Sequence, residues 1–282
     1  MKILNRQIEE LVDLTLAEDL GWGDVTTEAL VSDKQLGKAS IIAKAKGVIA
    51  GTEVAKQVFL KVDPKLKVDI LIEDGASIKP GDLIATIEGK VANILRAERV
   101  ALNFLQHLSG IASVTARYVE AVKGLPVQIT DTRKTIPGLR ALEKHAVKAG
   151  GGKNHRMHLG DGVLIKDNHL SALCSQGLNI KEIIVRARQK ADSKLKIEVE
   201  VKTPQEAVEA AEAGADIIML DNMNLDDMRQ AVRLIKSQAL IEASGGITLD
   251  KVRVVAETGV DFISIGALTH SAKALDISLE LD

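Results

Sequence analysis

Cationic residues gather in short turns that directly follow apolar, strand-like runs: Thr132-Arg133-Lys134-Thr135, Asn154-His155-Arg156 and Lys166-Asp167-Asn168-His169. Strand-to-loop junctions are where ligands meet the chain in α/β proteins, so this placement describes a pocket for a substrate with several negative charges. Arginine suits carboxylates through its planar fork and lysine serves phosphate as a compact charge, which points to both anions in one site. The same cations, as structural partners of buried acids, would also escape the cost of unpaired burial. Counting favours the site. Arg133, Lys134, His155, Arg156 and Lys166 stand against only Glu200, Asp221 and Asp167 at the strand ends, an excess that bound anions neutralise.

Glu200 and Asp221 end neighbouring predicted strands, which sets two carboxylates on one rim. They either hold sugar hydroxyls or a Mg²⁺ ion carried by substrate phosphates, or pair internally with Lys166. Glu198 lies two residues before Glu200 and so on the same side of the strand, where a structural duty inside a barrel is expected. Ser244-Gly245-Gly246 and Gly266-Ala267-Leu268 follow the last two strands, and such turns let backbone N–H groups approach a phosphate. His270 either adds a donor to that anion or caps its own helix. Arg96, Arg99, Asn103, Gln106 and Gly110 recur at helical spacing on one side, opposite Leu95, Leu102, Leu105 and Leu108, and a polar stripe of this kind is ordinarily solvated.

The elements that position these residues change style near residue 110. Before it, short alternating segments at 39–45, 66–72 and 83–87 are separated by Asp74-Gly75 and Lys79-Pro80-Gly81-Asp82, two turn signals, and read as a small sheet with flanking helices. After a long helix over 92–122, apolar strands at 127–131, 162–166, 195–201, 216–220, 240–243 and 261–265 alternate with amphipathic helices, the pattern of parallel βα units. Glu212-Ala213-Gly214-Ala215-Asp216 and Glu257-Thr258-Gly259-Val260-Asp261 occupy equivalent places in two units, with each Gly read as a helix cap. Six strands, with a seventh around 150–160, fit either an incomplete or a closed barrel, and chemistry belongs at the C-terminal strand ends of both.

Composition sets the outer limits. The chain has 282 residues, a formal charge of -2 and a pI near 6.3, so no general basic field exists for nucleic acid. One cysteine, Cys174, excludes an internal disulfide framework, fits a reducing, cytoplasmic compartment and reads as a small packed residue. The first helix, over 7–18, is too charged for a signal peptide, and no apolar run approaches the ~20 residues of a membrane span.

Taken together the motifs resemble those of the quinolinate phosphoribosyltransferase family, the carboxylating nicotinate-nucleotide pyrophosphorylases. The resemblance runs from Glu18-Asp19-Leu20-Gly21-Trp22-Gly23-Asp24-Val25-Thr26-Thr27, through Glu98-Arg99, Leu102-Asn103 and Leu108-Ser109-Gly110-Ile111-Ala112, to Leu268-Thr269-His270-Ser271. Between them stand the Thr-Arg-Lys-Thr, Gly-Gly-Gly-x-Asn-His-Arg, Ile-Lys-Asp-Asn-His, Met-Leu-Asp-Asn and Ser-Gly-Gly-Ile elements. Ile136 and His158 depart from the pattern outside its expected ligands.

The resemblance implies an incomplete α/β (TIM-like) barrel over 113–270 with an N-terminal open α/β sandwich over 1–112, completed by about 271–282. It implies transfer of phosphoribosyl from phosphoribosyl pyrophosphate to quinolinate with decarboxylation, giving nicotinate mononucleotide, pyrophosphate and CO₂, with Mg²⁺ as cofactor. Arg133, His155, Arg156 and Lys166 would receive the two carboxylates, and Lys134 the phosphoribosyl pyrophosphate beside Thr132. Glu200 and Asp221 would meet the ribose hydroxyls and magnesium, and Ser244 to Gly246 and Gly266 to Leu268, with His270, the 5′-phosphate. A homodimer or larger homo-oligomer is implied, with Arg99 entering the neighbouring site. The alternatives are a ModD-like paralogous phosphoribosyl or nucleotide-base transferase, and a non-catalytic binder of phosphorylated metabolites.

Overall fold

Alternating burial along residues 36–43 and a continuous buried run at 84–87 mark two strands that pair side by side and antiparallel, and the rest of the first sheet grows from that pair. The computed structural model describes residues 2–235 and 237–282. In chain order it runs α1 (Lys2–Leu20), α2 (Val25–Leu30), β1 (Leu36–Ala43), β2 (Gly47–Val48), α3 (Thr52–Val62), β3 (Lys67–Ile70), β4 (Ser77–Ile78), β5 (Leu83–Lys90) and α4 (Val91–Ala121). Then follow β6 (Gln128–Thr130), α5 (Arg140–Ala149), β7 (Val163–Ile165), α6 (Asp167–Cys174), α7 (Ile180–Lys190), β8 (Ile197–Val201), α8 (Pro204–Glu212) and β9 (Ile217–Asp221). The chain ends with α9 (Leu225–Ile235), β10 (Leu240–Ser244), α10 (Val252–Ala256), β11 (Phe262–Ser264), α11 (Ala267–His270) and β12 (Ile277–Leu281).

The chain divides into two compact units. The first comprises residues 1–116, 135–151 and 268–282, and its sheet has the antiparallel order β12-β1-β5-β3. Gln106 explains how the C-terminal segment is held: its side chain donates to Ile277 O at 2.7 Å, and its own carbonyl accepts from Leu275 N at 2.9 Å. Gly110, one helical turn on, lets the backbone of Lys273 pass where any Cβ would collide with its carbonyl. The polar stripe on α4 is therefore partly a seam for returning chain instead of a solvated face. Opposite it Leu102, Leu105 and Leu108 are buried, each worth about 1.5–3 kcal/mol, while Leu95 is only half-buried.

The second unit comprises residues 117–134 and 152–267, so 135–151, with α5, falls outside it, whereas the family resemblance implies a barrel over 113–270. Its six strands are parallel in the order β6-β11-β10-β9-β8-β7. The ring thus runs on from β11 to β6 and opens between β6 and β7, making the barrel incomplete. No seventh strand forms over 150–160; Lys153 makes a single parallel bridge to Thr130 on the free edge of β6. Gly214 and Gly259 follow α8 and α10 with φ of 86° and 95°, the left-handed conformation of a helix stop. The aspartates after them act alike, since Asp216 accepts from Ile197 N and Asp261 from Ile241 N, each tying one strand start to the next. Cys174 is exposed, not packed, because α6 buries none of its residues. No described helix is long and apolar enough to cross a membrane.

Candidate active site

The C-terminal ends of the parallel strands surround a cavity of about 520 Å³ within the second unit. Its walls are Thr132, Arg133, Lys134, His155, Arg156, Leu164, Lys166, Asp167, Asn168, Glu200, Met219, Asp221, Asn222, Glu242, Ser244 and Ser264. That is the end of a βα barrel where strand-following loops converge.

Local hydrogen bonds hold the cationic wall. Lys153 pairs with the edge of β6, with Lys153 N donating to Ile129 O and Asp131 N to Lys153 O. The next residues are then pinned: His155 N donates to Asp131 Oδ1 at 2.8 Å, and Arg156 N donates to His155 Nδ1 at 2.8 Å. Asp161 accepts from Met157 N and His158 N, closing the turn, and Arg156 gives one guanidinium N–H to Gly162 O. Lys166 sits where β7 gives way to α6, its N–H donating to His169 Nδ1 at 2.9 Å, so the histidine of the Ile-Lys-Asp-Asn-His element fixes the backbone beneath the lysine.

The charges are not balanced across the walls. Burial lowers the Arg156 pKa from its usual value, and the nearby positive charge of Arg133 lowers it further. Among the described residues neither Arg156 nor Lys166 forms an ion pair, since Arg156 is bonded to a carbonyl and Lys166 only biases Glu200 from a distance. In the same lining the Glu200 carboxyl is raised, first by burial and then by the charges of Asp221 and Asp167, against the opposing charges of Lys166 and Lys202. Arg133 repelling Arg156, and Asp221 and Asp167 repelling Glu200, within one lining suit a ligand that offers anions to the guanidinium groups and a cation or hydroxyls to the acids.

Comparison with known proteins decides the family. A profile described as the quinolinate phosphoribosyl transferase N-terminal domain matches residues 24–109, and one described as its C-terminal domain matches 111–280. The chain belongs to the quinolinate phosphoribosyl transferase family. It is 43% identical over 275 residues to a probable nicotinate-nucleotide pyrophosphorylase [carboxylating] of Bacillus subtilis, covering 98% of this chain and 93% of that one. It is also 43% identical over 293 residues to a mitochondrial quinolinate phosphoribosyltransferase [decarboxylating] of Nicotiana glauca, covering 98% and 82%. The crystal structure of NadC from Streptococcus pyogenes superposes with a TM-score of 0.93 at 43% identity, over 98% of this chain and 96% of that one.

In this member of the family the cavity brings together Thr132, Arg133, Lys134, His155, Arg156, Lys166, Glu200, Asp221 and Ser244, all singled out from sequence. The other expected residues lie outside its lining. Arg99 is exposed on α4. Gly245, Gly246, Gly266, Ala267 and Leu268 do not line the cavity, and the Leu268 side chain is fully buried, which leaves these residues only backbone to offer. His270 Nδ1 lies 2.6 Å from Ser271 Oγ. Sequence reading missed Asp131, Glu242 and Ser264, and met Asn222 only as the last residue of the Met-Leu-Asp-Asn element. Three of them carried a signal, because Glu242 precedes Ser244 by two residues, Ser264 precedes Gly266 by two, and Asp131 precedes Arg133 by two, the spacing that keeps strand residues on one side.

Proposed function

We propose that the protein transfers the phosphoribosyl group of phosphoribosyl pyrophosphate to the ring nitrogen of quinolinate and then decarboxylates the product, yielding nicotinate mononucleotide, pyrophosphate and CO₂, a step of NAD biosynthesis. One observation carries this reading: a single cavity sets Arg133, Lys134, Arg156 and Lys166 against Glu200, Asp221 and Asp167. Arg133, Arg156 and Lys166 receive the two carboxylates, with His155 in the same wall and Thr132 at its edge. Lys134 serves the phosphoribosyl pyrophosphate, and the turns Ser244-Gly245-Gly246 and Gly266-Ala267-Leu268, with His270, are the place for its 5′-phosphate.

The donor set of Glu200 and Asp221 is all oxygen, and Glu200 is raised by burial and next by the Asp221 charge, so these residues fit a hard divalent cation. Mg²⁺ held there would neutralise the departing pyrophosphate. As the C1′–O bond breaks, the ribose gains oxocarbenium character, and Glu200 and Asp221 stabilise it by holding the hydroxyls. The pyridine nitrogen gives its electron pair to C1′ and becomes positive. The adjacent carboxylate then leaves as CO₂, its bonding pair stays on the ring carbon beside that positive nitrogen, and a proton completes the product. The cationic wall holds the ring in line for the attack, so the contribution is positioning and electrostatics with no covalent enzyme intermediate.

The assembly belongs to the same proposal: a homodimer or larger homo-oligomer, with Arg99 of one copy completing the site of the next. Support comes from Arg99, exposed in the first unit, and from Trp22, Val25 and Leu30, large apolar side chains fully or largely exposed along one short stretch. The single cysteine suits a cytoplasmic setting. Purified protein given quinolinate, phosphoribosyl pyrophosphate and Mg²⁺ should release CO₂ and pyrophosphate in equal amounts. Pyrophosphate without CO₂, or turnover of nicotinate alone, would instead favour the ModD-like transferase. Binding without turnover would leave only a phosphometabolite binder.

A further inference from the structure

At the floor of the cavity lie titratable groups that the reaction above leaves unused. His155 Nε2 is 3.1 Å from Glu198 Oε2 and 3.6 Å from Glu242 Oε2, and both carboxylates are buried. His155, Arg156 and Glu242 also line a second cavity of about 250 Å³, so this cluster is the partition between two spaces. The three groups offer atoms within 4.8 Å of one another, the spacing of a metal site. The other edge of the imidazole argues against a metal. Arg156 N donates to His155 Nδ1, and a neutral ring that accepts at Nδ1 carries its proton on Nε2, where no lone pair remains for an ion. Nε2–H therefore donates toward Glu198. Burial, and next the Glu198 charge, push Glu242 up to about 7.

We propose that His155 is a positioning residue: Glu198 and Glu242 hold it from the barrel interior through Nε2, and through Nδ1 it fixes the Arg156 backbone so that the guanidinium is aimed at a substrate carboxylate. The inference deepens the quinolinate reading and rests on it, but it assigns His155 a different part from the direct carboxylate contact that family resemblance implies. Arg156 is then fixed at both ends, by His155 at its backbone N–H and by Gly162 O at its guanidinium. A ring that has spent both nitrogens inside the protein orients its neighbour and leaves the anion to it.

Nitrogen NMR of the wild-type imidazole, with and without quinolinate, reads the claim directly. The expected result is a neutral Nε2–H tautomer that persists when quinolinate saturates the protein. Conversion to an imidazolium on binding would overturn it, as would loss of the Nε2 proton on adding Zn²⁺ or Mn²⁺ alone. In parallel, His155→Ala should weaken quinolinate about a hundredfold with little change in KM for phosphoribosyl pyrophosphate. In an Arg156→Ala background the same change should cost no more than about twofold. His155→Asn, whose side-chain oxygen takes the Nδ1 position, should restore binding, and His155→Gln should not. Additive losses, or rescue by Gln alone, would sink the proposal. Absence of turnover by wild type would fell the quinolinate reading alone; the tautomer of the free protein, and recovery of the wild-type melting temperature by Asn but not Gln, would still decide this one.

Discussion

Glu200 and Asp221 project from adjacent parallel strands into one cavity, and the charge of Asp221, second only to burial, holds the Glu200 carboxyl above its ordinary pKa. A carboxyl whose pKa is higher folded than unfolded costs stability at pH values where both states ionise, and the cost vanishes below the unfolded value. Glu200→Gln should therefore melt higher than wild type at pH 7.5, with the difference closing toward pH values near the ordinary 4.5. The proposed role of the acid in stabilising charge on the sugar sets the expected fall in the variant's turnover at about a hundredfold. A variant that melts lower at neutral pH would show that Glu200 is held by a structural ion pair.

Arg156 makes one guanidinium hydrogen bond, to Gly162 O, and has Arg133 as a repelling neighbour with Glu198 and Asp161 opposing it, and the proposed function gives it a substrate carboxylate. Losing a charge-assisted hydrogen bond of roughly 1.5–3 kcal/mol should raise the Kd for quinolinate about ten- to a hundredfold in Arg156→Ala. Arg156→Lys should recover little, since lysine has no planar fork. Calorimetric titration of the variants with quinolinate measures both, and unchanged affinity in Arg156→Ala would remove Arg156 from the substrate wall.

Gly245 and Gly246 share a turn but differ in surroundings. Both have positive φ, 100° and 59°, yet a Cβ on Gly245 would collide with the Asn222 side chain and approach its backbone N to 2.8 Å, while one on Gly246 meets nothing within 4 Å. Alanine at either place bears the left-handed strain, about 1 kcal/mol, but only Gly245→Ala must also displace Asn222 at the cavity wall. Steady-state kinetics should show a far larger loss in kcat/KM for Gly245→Ala than for Gly246→Ala. Equal losses would mean the close approach to Asn222 has no bearing on the site.

In the first unit His145 Nε2 lies 2.7 Å from Asp74 Oδ2, and Asp74 also accepts from Gly51 N, Thr52 N and the Thr52 hydroxyl at the start of α3. The Asp74 bond raises the His145 pKa above 6.5, while Asp74 stays below 3.8 because its hydrogen bonds, that to His145 foremost, outweigh its burial. The histidine's contribution is complete below its unfolded pKa and lost as pH rises through the folded one; the aspartate's is complete above its unfolded pKa and lost as pH falls through the folded one. Both are present between about pH 4 and 6.5. His145→Ala should cost roughly 0.5 kcal/mol at pH 5.5 and less at pH 8.5, read as the difference in melting temperature. A loss independent of pH would mean that the contact acts only as packing.

Much of this protein was set by local order in the chain. Strand positions followed from short apolar runs bounded by turn residues, so β8, predicted over 195–201, forms at Ile197–Val201, and β9, predicted over 216–220, forms at Ile217–Asp221. The cationic wall was equally legible, because Arg133, Arg156 and Lys166 each sit just past a strand or edge segment, where backbone direction alone carries them to the rim. Tertiary structure decided what depends on partners distant in sequence. Which gap opens the ring was settled by Lys153 bridging Thr130 without a following strand, and β12 found β1 through Gln106 and the space left by Gly110. The cluster of His155, Glu198 and Glu242 is of the same kind: His155 read as one of the cations of the site, Glu198 as a structural strand residue, and Glu242 as an ordinary strand position. Only the folded chain brings the imidazole within 3.1 Å of Glu198 and 3.6 Å of Glu242, from strands far apart in sequence.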